Sequence, residues 1–391
     1  MFLVYTMLEK IVLRSVMLKQ AKELQENVNT SEKREILRIN NDIEKINSPS
    51  SKWYYASLIL LNIMALIVCF IVLDNTKFEI QKLSVVAENF DFKLIAIMTV
   101  CFIVILLLKT LPVFLRVYSK TKARKFGAIL GGVVASELYG RVTLFSKGKD
   151  SSFVNTVIKR GIQDNVAIDS VYARTSCDRM PFVTYALILM IAGIFAWIKN
   201  TNVLLFVIGV IILLIEFIKI LFVLMFKRNK KNTLEKLAKV IRFAYQLRII
   251  SDYEKVYNRI VDKLIIAVKD FKTNKYILFV EFISNMLIYI LKAGVVYVIF
   301  VSLNIADGAI FGELLFKCVL LELILKAWPI QNGTFIYELI FVLLMNNIFF
   351  EGYVFWGLVL YRLFDYFAYV ISYLIFKIFD KIYDNKISVN K

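Results

Sequence analysis

The 391-residue chain contains no histidine, only four prolines and only 14 glycines. Without histidine, triads with a histidine base, histidine metal sites and histidine pH switches are excluded. The low proline and glycine content excludes a collagen-like or low-complexity chain. The four cysteines lie far apart, which indicates neither a disulfide framework nor a Cys-x-x-Cys metal site. We therefore expect no catalytic residue of these kinds, no metal ion and no cofactor.

Hydrophobic residues are abundant, since they make up 59% of the chain. That share exceeds the roughly 50% of a soluble domain and makes a soluble enzyme an unfavoured interpretation. A membrane-spanning helix needs about 20 mostly apolar residues. The candidate segments are 53–73, 94–115, 182–198, 203–226, 277–303, 309–326, 334–350 and 353–376. The sequence thus predicts an all-α integral membrane protein with about eight transmembrane helices.

The net charge of +18 is unevenly distributed along the chain. Residues 227–275 contain 14 basic and 5 acidic groups, a net charge of +9, and residues 116–125 contain five basic groups and no acid. Because excess lysine and arginine marks cytoplasmic loops, both segments are predicted to be cytoplasmic. Membrane topology accounts for this charge, and we expect no DNA partner.

This topology requires an even number of crossings between residues 125 and 182. Residues 127–145 are glycine-rich and moderately apolar, and they form one candidate crossing without an obvious partner. The simplest solution is a re-entrant segment, which is tolerated where protein or a water-filled cavity surrounds it. Residues 329–350 are open to two interpretations, a crossing or a second re-entrant hairpin.

The sequence predicts three regions. Residues 1–52 form a cytoplasmic amphipathic and polar helical segment. Residues 53–376 form the transmembrane domain, which includes a cytoplasmic, basic, helical loop at 227–275. Residues 377–391 form a cytoplasmic tail. Both termini are therefore expected in the cytoplasm of a multi-pass protein in a bacterial-type cell membrane.

Ionisable side chains within the predicted spans are expensive to bury, so each is a structural ion pair or a functional hypothesis. Glu137 and Arg141 lie four residues apart in the re-entrant candidate. Arg362 and Asp365 lie three apart in the last span. Either pair can neutralise itself or contact a lipid headgroup. Lys292 has no acid near it in sequence, so it needs a partner from another helix or an anionic ligand.

Other charged residues lie at predicted helix ends and in loops. Lys147 and Lys149, in the polar loop after the re-entrant candidate, can hold a phosphate with backbone amides, although no P-loop motif is present. Lys159 and Arg160 follow one segment later and are either lipid contacts or a solvated face. Glu338 follows a helix-breaking stretch, where the helix dipole favours a carboxylate.

Three stretches carry a further pattern. They are Leu138-Tyr139-Gly140-Arg141-Val142-Thr143-Leu144-Phe145-Ser146-Lys147-Gly148 with Lys159-Arg160-Gly161-Ile162, then Pro329-Ile330-Gln331-Asn332-Gly333 with Glu338, and Leu360-Tyr361-Arg362. In order and spacing they resemble the membrane region of lysylphosphatidylglycerol synthases and related stand-alone flippase-like proteins. The resemblance covers residues 53–376. It departs from the family where a glycine, a glutamine and a proline fall on Lys149, Asp150 and Ser151.

The resemblance implies a helical membrane protein that binds an anionic or aminoacylated phospholipid, phosphatidylglycerol or its aminoacyl form, and moves it between leaflets. Together with the charged residues above, it gives the predicted lipid-binding set. These residues are Glu137, Arg141, Lys147, Gly148, Lys149, Lys159, Arg160, Pro329, Asn332, Gly333, Glu338, Tyr361, Arg362 and Asp365.

Full-length synthases of this kind join the membrane part to a cytosolic aminoacyltransferase domain, which transfers lysine from lysyl-tRNA to phosphatidylglycerol. No segment outside 53–376 is large enough for that domain, so we expect that the chain does not make lysyl-lipid by itself. Two alternatives stay open. One is a phosphatidylglycerol lysyltransferase, linked to cationic-peptide resistance. The other is a non-transporting scaffold for an envelope-lipid enzyme or a second copy of the chain.

Overall fold

The structure is a computed structural model, and every regular element in the part of the chain that it describes is a helix. The described residues are 60, 63–73, 80–142, 147–177, 179–197, 201–246, 252–254, 256–258, 260–261, 264, 275–303, 310–327, 336–349 and 351–389. The predicted segment 1–52 and the predicted site residues Pro329, Asn332 and Gly333 lie outside these ranges.

The described residues form two compact units, a smaller one within Leu221–Thr273 and a larger one that comprises the rest. The helices before residue 200 are α1 (Ile63–Leu73), α2 (Leu83–Asn89), α3 (Lys93–Thr121), α4 (Phe126–Val142), α5 (Lys147–Lys159), α6 (Asp164–Cys177) and α7 (Arg179–Ala196). Those that follow are α8 (Val203–Arg228), α9 (Lys230–Gln246), α10 (Lys275–Ser302), α11 (Phe311–Ala327), α12 (Ile336–Met345), α13 (Glu351–Arg362) and α14 (Ala368–Val389).

Four of the helical stretches are long and apolar enough to cross a membrane. They are α3, α8, α10 and the continuous stretch Gly352–Phe379, which joins α13 to α14. They coincide with four of the eight predicted spans. Shorter apolar helices, α1, α12 and most of α7, coincide with three others, and α11 occupies the eighth. For the described residues, an all-α fold with four helical stretches long and apolar enough to cross a membrane is thus confirmed, while the eight crossings and the re-entrant segment stay predictions.

The predicted re-entrant segment is a helix, α4, and it forms an antiparallel hairpin with α5. The two helices pack along their lengths, because Gly132 of α4 has no side chain to separate them. A Cβ atom at Gly132 would lie 2.6 Å from Cγ1 of Val157. The open ends of this α4–α5 hairpin meet where the ammonium of Lys125 donates to the carbonyl of Gly161 at 2.7 Å. Gly161 ends α5 with a φ of +79°, which favours glycine.

A π-helical turn, Leu363–Phe367, joins α13 to α14 within the last long helix. The backbone amide of Ala368 donates to the carbonyl of Leu363, five residues earlier. Such a turn contains one extra residue relative to an α-helix, and these turns recur at functional sites. The π turn packs against α3, and α14 packs against α4, so the last helix reaches two neighbours at the level of the turn.

The smaller unit contains the end of α8, α9 and helical residues between 252 and 264. Its buried apolar cluster is formed by Phe226, Leu237, Ile241 and Leu264, with Leu234, Tyr257 and Val261 packed around it. This cluster lies mostly in the segment 227–275 that was predicted as a cytoplasmic, basic, helical loop, and α9 within that segment is helical. The cytoplasmic location of the segment stays a prediction.

Candidate functional site

A chain of alternating charges runs through the interior of the larger unit. The ammonium of Lys109 on α3 donates to Glu137 on α4 at 2.7 Å. Arg141, one turn further along α4, donates through both terminal nitrogens to the two carboxylate oxygens of Asp365, each at 3.2 Å. Arg141 also lies 3.8 Å from Glu137. The four charges therefore tie α3, α4 and the π turn together.

A second ion pair lies deeper in the apolar core. Arg362, at the end of α13, donates to one oxygen of Glu338 in the first turn of α12, from Nε at 2.9 Å and from a terminal nitrogen at 2.5 Å. The guanidinium also stacks 3.8 Å from the ring centre of Tyr337. The sequence spacing offered Asp365 as a partner for Arg362. The structure gives the two residues separate partners across other helices.

Lys292, which the sequence left in need of a partner, finds it on a neighbouring helix. Its ammonium donates to Glu322 of α11 at 2.6 Å. The two side chains keep 17% and 32% of their surface exposed, much more than the Arg362–Glu338 pair. Both residues line a small pocket in an otherwise apolar surrounding.

Five of the eleven residues that line this pocket are aromatic. The tyrosine pocket is lined by Tyr185, Tyr289, Lys292, Val296, Cys318, Val319, Leu321, Glu322, Tyr337, Phe341 and Tyr361. Tyr185 stacks on Tyr289, and Tyr337 stacks on Tyr361. Such a wall presents π faces and hydroxyl groups together, which suits a ligand with a cationic group and a polar head.

The tyrosine pocket lies near the charge chain, since Lys292 in its wall is close enough to Arg141 and Asp365 for their charges to act on it. Tyr337 and Tyr361 line the pocket and belong to the helices that carry Glu338 and Arg362. A ligand that enters the pocket would therefore act on the same helices that the buried pairs hold together.

The remaining predicted site residues divide between the two ends of the α4–α5 hairpin. Gly148 is buried at the start of α5, and Lys149 lies 3.8 Å from Glu137. The predicted phosphate loop is thus the first turn of a helix; the Lys147 side chain lies outside the described part. Lys159 and Arg160 lie at the other end, about 15 Å further along α5, and Arg160 donates to the carbonyl of Gly127 at 2.8 Å.

One phosphate group cannot contact both ends of the hairpin. Among the predicted residues, the structure brings Glu137, Arg141, Lys149 and Asp365 together. Glu338, Arg362 and Tyr361 form a neighbouring group, in which the Tyr361 ring stacks on Tyr337. Lys159 and Arg160 belong to neither.

Sequence reasoning missed several residues of this site. Lys109 lies inside the predicted span 94–115. A charge at that place could have indicated a buried ion pair, and the structure pairs it with Glu137. The residues Tyr185, Tyr289, Glu322 and Tyr337 carry no local motif and become neighbours only through packing. Within the described ranges, no group of three or more His, Cys, Asp or Glu side chains has a geometry suited to a metal ion.

Comparisons with known proteins leave the family open. A scan against protein-family models, a search of curated proteins and a search of solved structures each return no match to this chain. The resemblance to the membrane region of lysylphosphatidylglycerol synthases is therefore an expectation from the motifs alone.

Proposed function

We propose that the chain is a multi-pass membrane protein that binds the headgroup of an anionic or aminoacylated phospholipid and moves the lipid between leaflets. The charged groups of the headgroup contact the Lys292–Glu322 pair at the tyrosine pocket, whose volume of about 20 Å³ holds about one water molecule and not the whole headgroup. Lys292 contacts the phosphate, and Glu322 contacts an amino group where the headgroup carries one. In this proposal the α4–α5 hairpin is re-entrant and both termini are cytoplasmic.

The observation that carries the proposal is the accessible Lys292–Glu322 pair in the wall of an aromatic pocket. Ionisable residues inside a membrane domain are rare, and they mark substrate pathways by default. A ligand with one negative and one positive group can exchange with this pair without leaving a buried charge unpaired. Phospholipid headgroups with an amine have that chemistry, and a purely anionic headgroup meets Lys292 alone.

The fully buried pairs act as positioning residues in this proposal. Arg362 and Glu338 fix α13 against α12, the two helices that carry Tyr361 and Tyr337. Arg141 and Asp365 fix the α4–α5 hairpin against the π turn. These contacts support a rigid frame around the tyrosine pocket. The sequence carries no nucleotide-binding motif, so the proposed movement is downhill or coupled to an ion gradient.

A lipid-movement assay with the purified full chain tests the proposal. The protein is reconstituted in phosphatidylcholine vesicles with a trace of fluorescent phosphatidylglycerol, or its lysyl form, and outer-leaflet fluorescence is removed chemically. We expect faster loss of the protected inner-leaflet signal than in protein-free vesicles. Lys292→Gln should slow this movement about tenfold, the value of one hydrogen bond to a charged group.

Lys219→Gln is the matched control, because Lys219 is likewise a lysine 2.6 Å from a glutamate in a long apolar helix; its partner Glu216 lies three residues away in the same helix. It should keep wild-type movement. Equal rates for wild type, Lys292→Gln and protein-free vesicles would overturn transport and favour the scaffold. Lipid mass spectrometry of a bacterium that contains phosphatidylglycerol but no aminoacyl-lipid tests the enzyme alternative, since a new aminoacyl-lipid would replace this proposal with a synthase.

A further inference from the structure

An exposed surface with both basic and apolar side chains lies on α9, in the smaller unit. Lys236, Lys239, Val240 and Phe243 follow the spacing i, i+3, i+4 and i+7, so they share one face of the helix. Val240 and Phe243 are 57% and 62% exposed. We call these four residues the outer face of α9. Two large apolar side chains flanked by two lysines are thus presented together.

The opposite face of α9 packs in the core of the smaller unit. Leu237 and Ile241 are buried there against Phe226 and Leu264. Val240 and Phe243 are therefore not needed to hold α9 in place. Adjacent exposed apolar side chains rimmed by charged residues are a candidate interaction site.

The position of α9 in the chain indicates what covers this face. α8 is long and apolar enough to cross a membrane, and it ends in the exposed residues Lys227 and Arg228. Lysine and arginine at a helix end extend to the membrane interface. α9 begins at Lys230, two residues later, where the side-chain oxygen of Asn229 accepts the amide of Asn232 at 3.1 Å. Because α9 begins two residues after α8 ends, the start of α9 lies near the same membrane interface.

The positive charge of α9 favours a membrane surface that contains anionic lipid. Its basic residues are Lys230, Lys231, Lys236, Lys239 and Arg242, against the single acid Glu235. An amphipathic helix with apolar residues beside lysines lies in the interface plane and is drawn to anionic lipids. Double-stranded or stacked nucleic acid is a poorer fit, because Val240 at the centre of the face offers neither a hydrogen bond nor a ring.

We infer that the outer face of α9 lies against an anionic membrane surface. Val240 and Phe243 enter the headgroup layer, and the ammonium groups of Lys236 and Lys239 contact lipid phosphates. This attachment is independent of whether the tyrosine pocket moves lipid, because it uses residues of the smaller unit alone.

Site-specific fluorescence in the full chain tests this inference. The four native cysteines are replaced by serine or alanine, and an environment-sensitive dye is attached to Phe243→Cys or, as a matched control, to Tyr245→Cys. Position 245 is two residues away and about 200° around the helix, and it is also exposed. The chain is reconstituted in phosphatidylcholine vesicles with or without phosphatidylglycerol, some lipids carrying a nitroxide near the headgroup.

We expect strong nitroxide quenching at position 243, weak quenching at position 245, and an increase at 243 when phosphatidylglycerol is present. Orientation in the vesicle does not matter, because α9 meets the leaflet on its own side either way. Lys236→Gln/Lys239→Gln should weaken attachment, each lysine by roughly fivefold. Lys231→Gln/Arg242→Gln removes the same charge from another face and should weaken it less.

Equal quenching at positions 243 and 245 would overturn the inference, as would quenching at 243 that ignores phosphatidylglycerol. If vesicles leave the dye at 243 unquenched and added RNA shifts its emission, the face binds nucleic acid instead. Size-exclusion chromatography shows whether a lysine variant is unfolded. If it is, the comparison of quenching at positions 243 and 245 still tests the inference, because both labels replace an exposed side chain.

Discussion

Two ion pairs of this molecule have the same short distance but opposite surroundings. Arg362 and Glu338 lie 2.5 Å apart with 2% and 1% of their side chains exposed. Lys120 and Asp169 also lie 2.5 Å apart, with 40% and 32% exposed. Both pairs join different helices. The comparison teaches that the distance between two charges does not set their contribution to the free energy of unfolding. When one partner is removed, that contribution depends on the surroundings of the charge that remains.

Removing one partner of the buried pair should have the largest effect. Arg362→Met leaves the Glu338 carboxylate without compensation in the apolar core, which costs about 3–5 kcal/mol in comparable pairs. We expect a large fall in the thermal unfolding temperature of the purified protein, followed by intrinsic fluorescence. Arg362→Met/Glu338→Leu removes both charges and should recover most of the loss. An unchanged unfolding temperature for Arg362→Met would contradict the central importance of this pair.

An uncharged contact in the same unit sharpens the comparison. Gly132→Ala places a methyl group 2.6 Å from Cγ1 of Val157, so α4 and α5 must move apart. Overpacking of this kind costs about 1–3 kcal/mol. Gly294→Ala is the matched control, because no atom lies within 4 Å of its Cβ position in α10. It should be neutral or stabilising, by up to about 1 kcal/mol. Equal unfolding temperatures for the two variants would mean that the hairpin is not tightly packed.

The exposed pair should show the smallest effect. Lys120→Gln removes the pair with Asp169 and should change the unfolding free energy by about 0.2–1 kcal/mol. Salt should reduce that difference further, since exposed charges are screened. The measurement is the unfolding temperature of wild type and variant at low and high salt. A loss as large as that of Arg362→Met would show that exposure is not what separates the two pairs.

The apolar helices of this fold could be predicted from the sequence because their signal is local. The predicted span 203–226 is helix Val203–Arg228, and the predicted span 277–303 is helix Lys275–Ser302. The length of an apolar run needs no knowledge of the rest of the chain. The α4–α5 hairpin was harder to predict, because the glycine-rich sequence 127–145 does not say which helix packs against it.

Charge partners could not be predicted, because they depend on which helices pack together. The need of Lys292 for a partner was visible in the sequence, while the identity of Glu322 was not. Their spacing of three left Arg362 and Asp365 as either a mutual ion pair or lipid contacts, and in the structure they pair with Glu338 and Arg141. The π turn contributes to this outcome, since it changes the directions of side chains in the turn where that spacing was applied.

The π turn also gives the last helix one residue that its later part does not need for its direction. The hydrogen bond between Ala368 and Leu363 spans one residue more than that of an α-helix, so the extra residue is absorbed within this turn. Tyr369 keeps its place after the turn, where its hydroxyl lies 3.1 Å from the ammonium of Lys109. Deleting one residue from the regular α-helix would rotate every later side chain by about 100°, whereas deleting one from the π turn would leave them close to their present directions.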